Sequence, residues 1–263
     1  MLLFINKPFY KSENLMFFFI VALCTLLSCR NDEAGNELNI AVAANMKTPM
    51  DSIVSVFEDK SRIKCNLYSN SSGTLNVQII QGAPYDIFFS ANQVYPVKLF
   101  EKGIAKAPIL YGKGSLVLVS HSNMDNQNLA TLLESDEINK IAVAFEESAP
   151  YGLAGMETLE SLNLKTDLID KIVIGESVGQ VNQLFVSNAV DAAFTSFSFI
   201  KSYSEPFYYS KVNDTLYSPI LQSAAVISTK NSKKTMIQEK FISFLRTNEC
   251  KAILNYYGYS TFD

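Results

Sequence analysis

The sequence predicts an α/β protein of two lobes, each a mixed, mostly parallel sheet flanked by helices. Short apolar, β-branched runs alternate with segments whose apolar residues recur at helical spacing. That strand–helix alternation occurs in two sets of similar size, and it implies sheets covered by helices on both faces. About 230 residues follow the N-terminal segment, enough for two modest domains or one large one.

The elements follow in order. "LNIAVAA" (38–44) suits a buried parallel strand, and Met46, Met50, Ile53, Val54 and Phe57 then fall at helical spacing. "KCNLYS" is a second strand. Leu75, Ile79 and Ile80 mark a helix face, "YDIFFSA" is a third strand, and Val94 to Phe100 form a helix stopped by Gly103. "SLVLVS" (115–120) opens the second set. It continues with a helix near Leu129–Leu133, strand 141–145, a helix from Gly152 to Leu162, strand 171–175, a helix from Gly179 to Ser187 and strand 191–195. "SAAVIST" (223–229) and two helical patterns end the chain. We expect lobe I to comprise residues 38–115 with 223–263, lobe II residues 116–222, and a hinge to join them.

Residues 1–29 read as a secretory signal: Lys7 and Lys11 precede an apolar run from Leu15 to Leu27, which ends in Ser28 and Cys29. The run is short for a membrane-spanning helix, which needs about 20 apolar residues. "LLSC" resembles a bacterial lipobox, so Cys29 is the expected lipidation site, and residues 30–37 are a polar tether. The protein is therefore expected outside the cytoplasm, on the periplasmic side of a membrane.

A net charge of −4 argues against nucleic acid as a partner. From residue 31 onward the only arginines are Arg62 and Arg246, so any bound anion is held largely without guanidinium groups. Cys65 lies in a strand pattern and Cys250 in a helix pattern; an exported chain permits a disulfide between them, and free thiols are an equal alternative. The single histidine, His121, builds no metal cluster and is expected on a surface loop.

Four places share one grammar, in which a strand ends, small or polar residues follow and a helix begins. They are "VAANM" (42–46), "SNSSGTL" (69–75), "APYGL" (149–153) and "ESVGQV" (176–181). The first N–H groups of a helix lack partners and carry partial positive charge, so such ends bind anions without cationic side chains. In open α/β sheets, ligands sit beyond the carboxyl ends of strands, where these turns fall. Gly73 permits close backbone approach, while Asn45 and Ser72 add side-chain donors. Taken singly, each turn reads as an ordinary helix cap ahead of a ligand site, and spacing alone does not say whether the four converge.

Several ordered segments resemble the molybdate-binding proteins of bacterial ABC importers, which have a type II periplasmic-binding-protein fold. "SSGTLNVQIIQGAPYDIFFSANQ" is close to the family's "SSGxLxxQIxxGAPxDxFxSAD"; "APYGLAGMETLESL", "ESVGQVNQLFVSNAVDAAFTS" and "KAILNYYGY" match further. The resemblance covers residues 38 to about 260 and implies a monomeric, non-enzymatic receptor that delivers molybdate or tungstate to a permease. It carries the first-turn ligand serine onto Asn45 and that of the second turn onto Ser72. The backbone donors of the third and fourth turns fall on Tyr151 and Val178, and the ligand tyrosine falls on Ser196. Asn45 keeps an amide donor, provided its oxygen points away from the anion. Ser196 is shorter than tyrosine, leaving Thr195 or the Tyr151 phenol to supply that contact. The alternatives are another oxyanion, or ferric iron held by the pairs Tyr208–Tyr209 and Tyr256–Tyr257. An enzyme is disfavoured because no nucleophile–base pair is visible. A transcription-factor effector domain is disfavoured by the export signal. No cofactor is expected.

Overall fold

The structure, a computed structural model, describes residues 37–123 and 128–262. The signal, the lipobox cysteine and most of the tether lie outside the described residues. No helix among the described residues is long and apolar enough to cross a membrane.

The chain begins with strand β1 (Glu37–Ala43), a 3-10 turn (Ala44–Met46) and helix α1 (Lys47–Ser61). Then come β2 (Lys64–Asn70), α2 (Ser72–Ile80), β3 (Ile87–Ser90), α3 (Val94–Glu101) and β4 (Ile109–Gly114). The second sheet opens with β5 (Leu116–Ser120), α4 (Leu129–Glu134), β6 (Ile141–Ala144) and α5 (Pro150–Ser161). It continues with β7 (Ile172–Gly175), α6 (Val178–Val186), β8 (Ala192–Ser196), α7 (Phe197–Ser202) and β9 (Tyr208–Lys211). The chain returns through β10 (Ile220–Val226) and ends in α8 (Ser232–Leu245), α9 (Asn248–Tyr256) and β11 (Ser260–Thr261).

The strand orders are β11-β4-β10-β3-β1-β2 and β7-β6-β8-β5-β9. Each sheet is mixed. In each, two neighbouring pairings are parallel, β2-β1-β3 and β7-β6-β8, and the remaining pairings are antiparallel. The sheets are thus less parallel than their βα order suggests. The reason is that β5 and β10, on which the chain enters each sheet from the other without a helical crossover, run against the parallel strands β8 and β3 beside them. β4 escaped the sequence reading because "ILYGKG" carries two glycines and a lysine where a strand normally shows a clear alternation. α7 and β11 are too short for periodicity to register. The chain crosses at Ser115 and again within residues 212–219, since Ile220 already pairs in the first sheet; the sequence reading placed that return at 222.

β1 is buried on both faces, which explains its nearly continuous apolar run. Leu38, Ile40 and Val42 pack with Met50, Phe57, Phe89 and Phe241 beneath α1, α8 and α9. Ala41 faces the other way, onto Leu75, Ile79, Phe88 and Leu99 of α2, β3 and α3. The rings of Phe57 and Phe241 meet edge to face at 4.8 Å. The second sheet has one core, in which Val117, Val119 and Phe194 pack with Leu159 of α5 and Phe185 of α6. Such buried side chains contribute about 1.5–3 kcal/mol each. Cys65 and Cys250 are free thiols, and burial pushes both up to about 12. His121 is exposed at a bend, with Nε2 against the Phe185 carbonyl at 3.0 Å and its ring stacked on Phe185.

Candidate oxyanion site

Three helix N-termini and the 3-10 turn after β1 meet at one small hollow between the sheets. It is lined by Ala43, Ala44, Asn45, Ser71, Ser72, Ala91, Ala149, Pro150, Tyr151 and Val178, none of them charged. The hollow is small, with a cavity volume of about 10 Å³. Asn45, Ser72, Tyr151 and Val178, which stand in four separate turns, are therefore brought together.

Local chemistry orients each helix end. In α2 the cap is Ser71, whose Oγ accepts from the Thr74 N–H at 3.3 Å. Ser72 is the first helical residue; its Oγ accepts from the Ala91 N–H at 3.0 Å, which leaves its own hydrogen free to turn into the hollow. α5 begins with Pro150, which has no N–H, so Tyr151 supplies the first one. Gly152 lets this end press on β6, since a Cβ there would lie 2.0 Å from the Ala144 carbonyl oxygen. Ser177 caps α6 through the Gln180 N–H, and Val178 opens that helix. Among the described residues, the backbone N–H groups of Ser72, Tyr151 and Val178 find no acceptor. Three such groups, each at the positive end of a helix of nine or more residues, form a donor-only surface.

Asn45 takes a different role from the one its amide suggested. Its Nδ2 donates to Gln222 Oε1 at 3.0 Å and to Tyr259 Oη at 2.9 Å. The orientation is over-determined: Gln222 Nε2 donates to the Ile220 carbonyl, so its Oε1 accepts, while Tyr259 Oη donates to the Asn45 carbonyl at 2.8 Å. The amide hydrogens are thus consumed in holding the turn, and they are not aimed at the hollow. Ser198 Oγ adds a second donor to the Asn45 carbonyl, at 2.6 Å.

Ser196 does not line the hollow. It is buried with its Oγ 2.7 Å from Ser198 Oγ, one step behind Asn45. The expected substitutes do not reach the hollow either. Thr195 donates to Asn182 Oδ1, and the Tyr151 phenol lies over Gly114, where a Cβ would sit 2.1 Å from its oxygen. Burial holds the Tyr151 hydroxyl well above its ordinary value and raises that of Tyr259 to about 12, so both stay neutral and present no charge to an anion. Gln222, Ser198 and Tyr259 were missed as site residues. Tyr259 stood in the matching segment "KAILNYYGY", but nothing local said that it reaches Asn45, 214 residues away.

The tyrosine pairs take no part. Tyr208 and Tyr209 are exposed on β9 at the edge of the second sheet, Tyr256 is exposed, and neither pair lines the hollow. Among the described residues no three His, Cys, Asp or Glu side chains gather into a metal site.

Two mixed sheets joined by two crossings, with a donor-lined hollow between them, define a two-lobed binding protein. The chain belongs to the bacterial extracellular solute-binding proteins, whose family model matches residues 38–260. It is similar to the molybdate-binding protein ModA of Rhodobacter capsulatus, 30% identical over 91% of this chain and 94% of that one. The ModA of Azotobacter vinelandii is 29% identical over 91% of this chain and 96% of its own length. The solved periplasmic molybdate-binding protein of Azotobacter vinelandii superposes with a TM-score of 0.81, covering 86% of this chain and all of that one.

Proposed function

We propose that this protein is the extracytoplasmic substrate-binding component of an ABC importer and binds molybdate or tungstate between its lobes. The observation that carries this reading is the convergence of the Ser72, Tyr151 and Val178 N–H groups, all without acceptors, on one uncharged hollow. A dianion with four equivalent oxygens suits donors arriving from separate helix ends, and no lining side chain offers a competing acceptor charge. Similarity to molybdate-binding proteins along nearly the whole chain supports the same reading. Ser72 acts from lobe I through its N–H and its hydroxyl, and Tyr151 and Val178 act from lobe II; the Asn45 amide holds the turn after β1 and does not donate to the anion. Ser196 supports the turn from behind and does not touch the ligand. Lobe I comprises residues 38–115 together with the chain from Ile220 onward, lobe II lies between them, and the lobes close on the anion because each supplies only part of its shell.

Residues 1–29 direct export, Cys29 carries the lipid and residues 30–37 tether the monomeric receptor to a membrane. There the closed form delivers its anion to a permease. Equilibrium titration with molybdate, tungstate and sulfate tests the assignment. Molybdate and tungstate bind alike; the smaller sulfate leaves donors unfilled at a cost of about 1–3 kcal/mol each. Equal affinity for all three anions refutes the size argument, and no binding of any refutes the assignment.

A further inference from the structure

Beside the hollow, lobe I touches lobe II through two hydrogen bonds that involve no hollow-lining residue on the donor side. The Gly73 N–H, in the first turn of α2, donates to the Ser148 carbonyl at 2.8 Å. Tyr95 Oη, from α3, donates to the carbonyl of the adjacent Glu147 at 2.9 Å. Both acceptors lie on the loop between β6 and α5, the loop that ends at Ala149, Pro150 and Tyr151 of the hollow. That loop is braced: the Ser148 and Ala149 N–H groups both return to the Phe145 carbonyl, and the Phe145 N–H binds the Gly175 carbonyl. Pulling on Glu147 and Ser148 therefore moves the start of α5 as a unit.

The approach leaves no room for a side chain at residue 73. A Cβ on Gly73 would lie 2.8 Å from Ser148 Cα, 2.9 Å from Ser148 Cβ and 2.8 Å from Tyr95 Oη. Two of these atoms are the Cα and Cβ of a residue in the other lobe, and the third is the movable end of a lobe I side chain, so it is the approach of the lobes that demands glycine here. Gly73 has no positive φ, and alanine is the better helix former at such a position. The closeness that the sequence suggested at Gly73 is thus to the opposite lobe.

We propose that Gly73 and Tyr95 form a closing latch on the Glu147–Ser148 carbonyls and act as positioning residues, raising anion affinity without touching the anion. The latch rests on the functional reading above, in that the anion selects the closed form. Because the apparent affinity scales with the fraction of molecules able to close, a block at residue 73 weakens binding even though every donor to the anion remains.

The test compares the full wild-type chain with Gly73→Ala and Tyr95→Phe. Molybdate affinity, its dissociation rate, small-angle X-ray scattering with and without molybdate, and urea unfolding of the ligand-free proteins are measured. Gly73→Ala lowers affinity at least about tenfold and stays expanded with molybdate present. Tyr95→Phe lowers affinity about two- to tenfold, the worth of one net hydrogen bond, chiefly through faster dissociation. Both variants unfold at the wild-type urea midpoint or above it, which a general structural defect would not allow. Wild-type affinity, dissociation and scattering in both variants overturn the latch. If the wild-type chain takes no molybdate, the functional reading fails and the ligand-free scattering decides alone. A more expanded Gly73→Ala then supports the latch, and superimposable curves overturn it.

Discussion

Ser71 and Ser72 are adjacent, both buried and both on the hollow, yet the structure gives them separate work. Ser72→Ala removes a hydroxyl whose hydrogen is free to meet the anion. A hydrogen bond to a charged group is worth about 1.5–3 kcal/mol, so molybdate affinity should fall about 10- to 150-fold. The change also strips the Ala91 N–H of its 3.0 Å acceptor, which costs about 1–3 kcal/mol of stability. Ser71→Ala instead removes the cap on the Thr74 N–H and the 2.8 Å contact with Thr74 Oγ1, costing about 1 kcal/mol of stability. It leaves the Ser72 hydroxyl and all three helix N–H groups in place, so affinity changes by less than about threefold. Titration calorimetry gives the affinities, and urea unfolding without ligand gives the stabilities. If Ser72→Ala binds like wild type, or Ser71→Ala loses as much affinity as Ser72→Ala, the division between cap and ligand is wrong.

Two further outcomes follow from the buried network around Asn45. Tyr259→Phe deletes both the donor to the Asn45 carbonyl and the acceptor of its amide, and should lower the urea-derived stability by about 1–3 kcal/mol. No change would mean that Gln222 and Ser198 hold the turn unaided. The second outcome is alkaline unfolding. Tyr259 has its folded value raised by burial to about 12 from an ordinary 10, so its contribution is complete below pH 10 and lost as pH rises through about 12. Two units correspond to about 3 kcal/mol, withdrawn between those limits. Circular dichroism from pH 8 to 12 should show stability flat to about 10 and then falling; a protein equally stable at pH 12 and pH 9 contradicts the buried neutral phenol.

The legibility of this chain divides along physical lines. The strands and helices of the parallel units were readable because burial on two faces of a sheet leaves continuous apolar runs, as in β1. Packing on one face likewise leaves helical spacing, as in α1 and α6. The turn chemistry was readable too, since helix starts select small polar residues. β4 was not, because a strand of glycine and lysine is held by its neighbours β10 and β11 and not by its own pattern.

By itself the sequence determined the two α/β lobes, the scarcity of cationic side chains and the four helix-start turns, all of them properties of short stretches of chain. Only the tertiary structure decided which of those turns meet and what each residue does there. It gave the Asn45 amide to Gln222 and Tyr259, set Ser196 behind the turn and pressed Gly73 against Ser148. These outcomes depend on contacts between residues 75 to 214 positions apart, and local composition carries no record of such pairings.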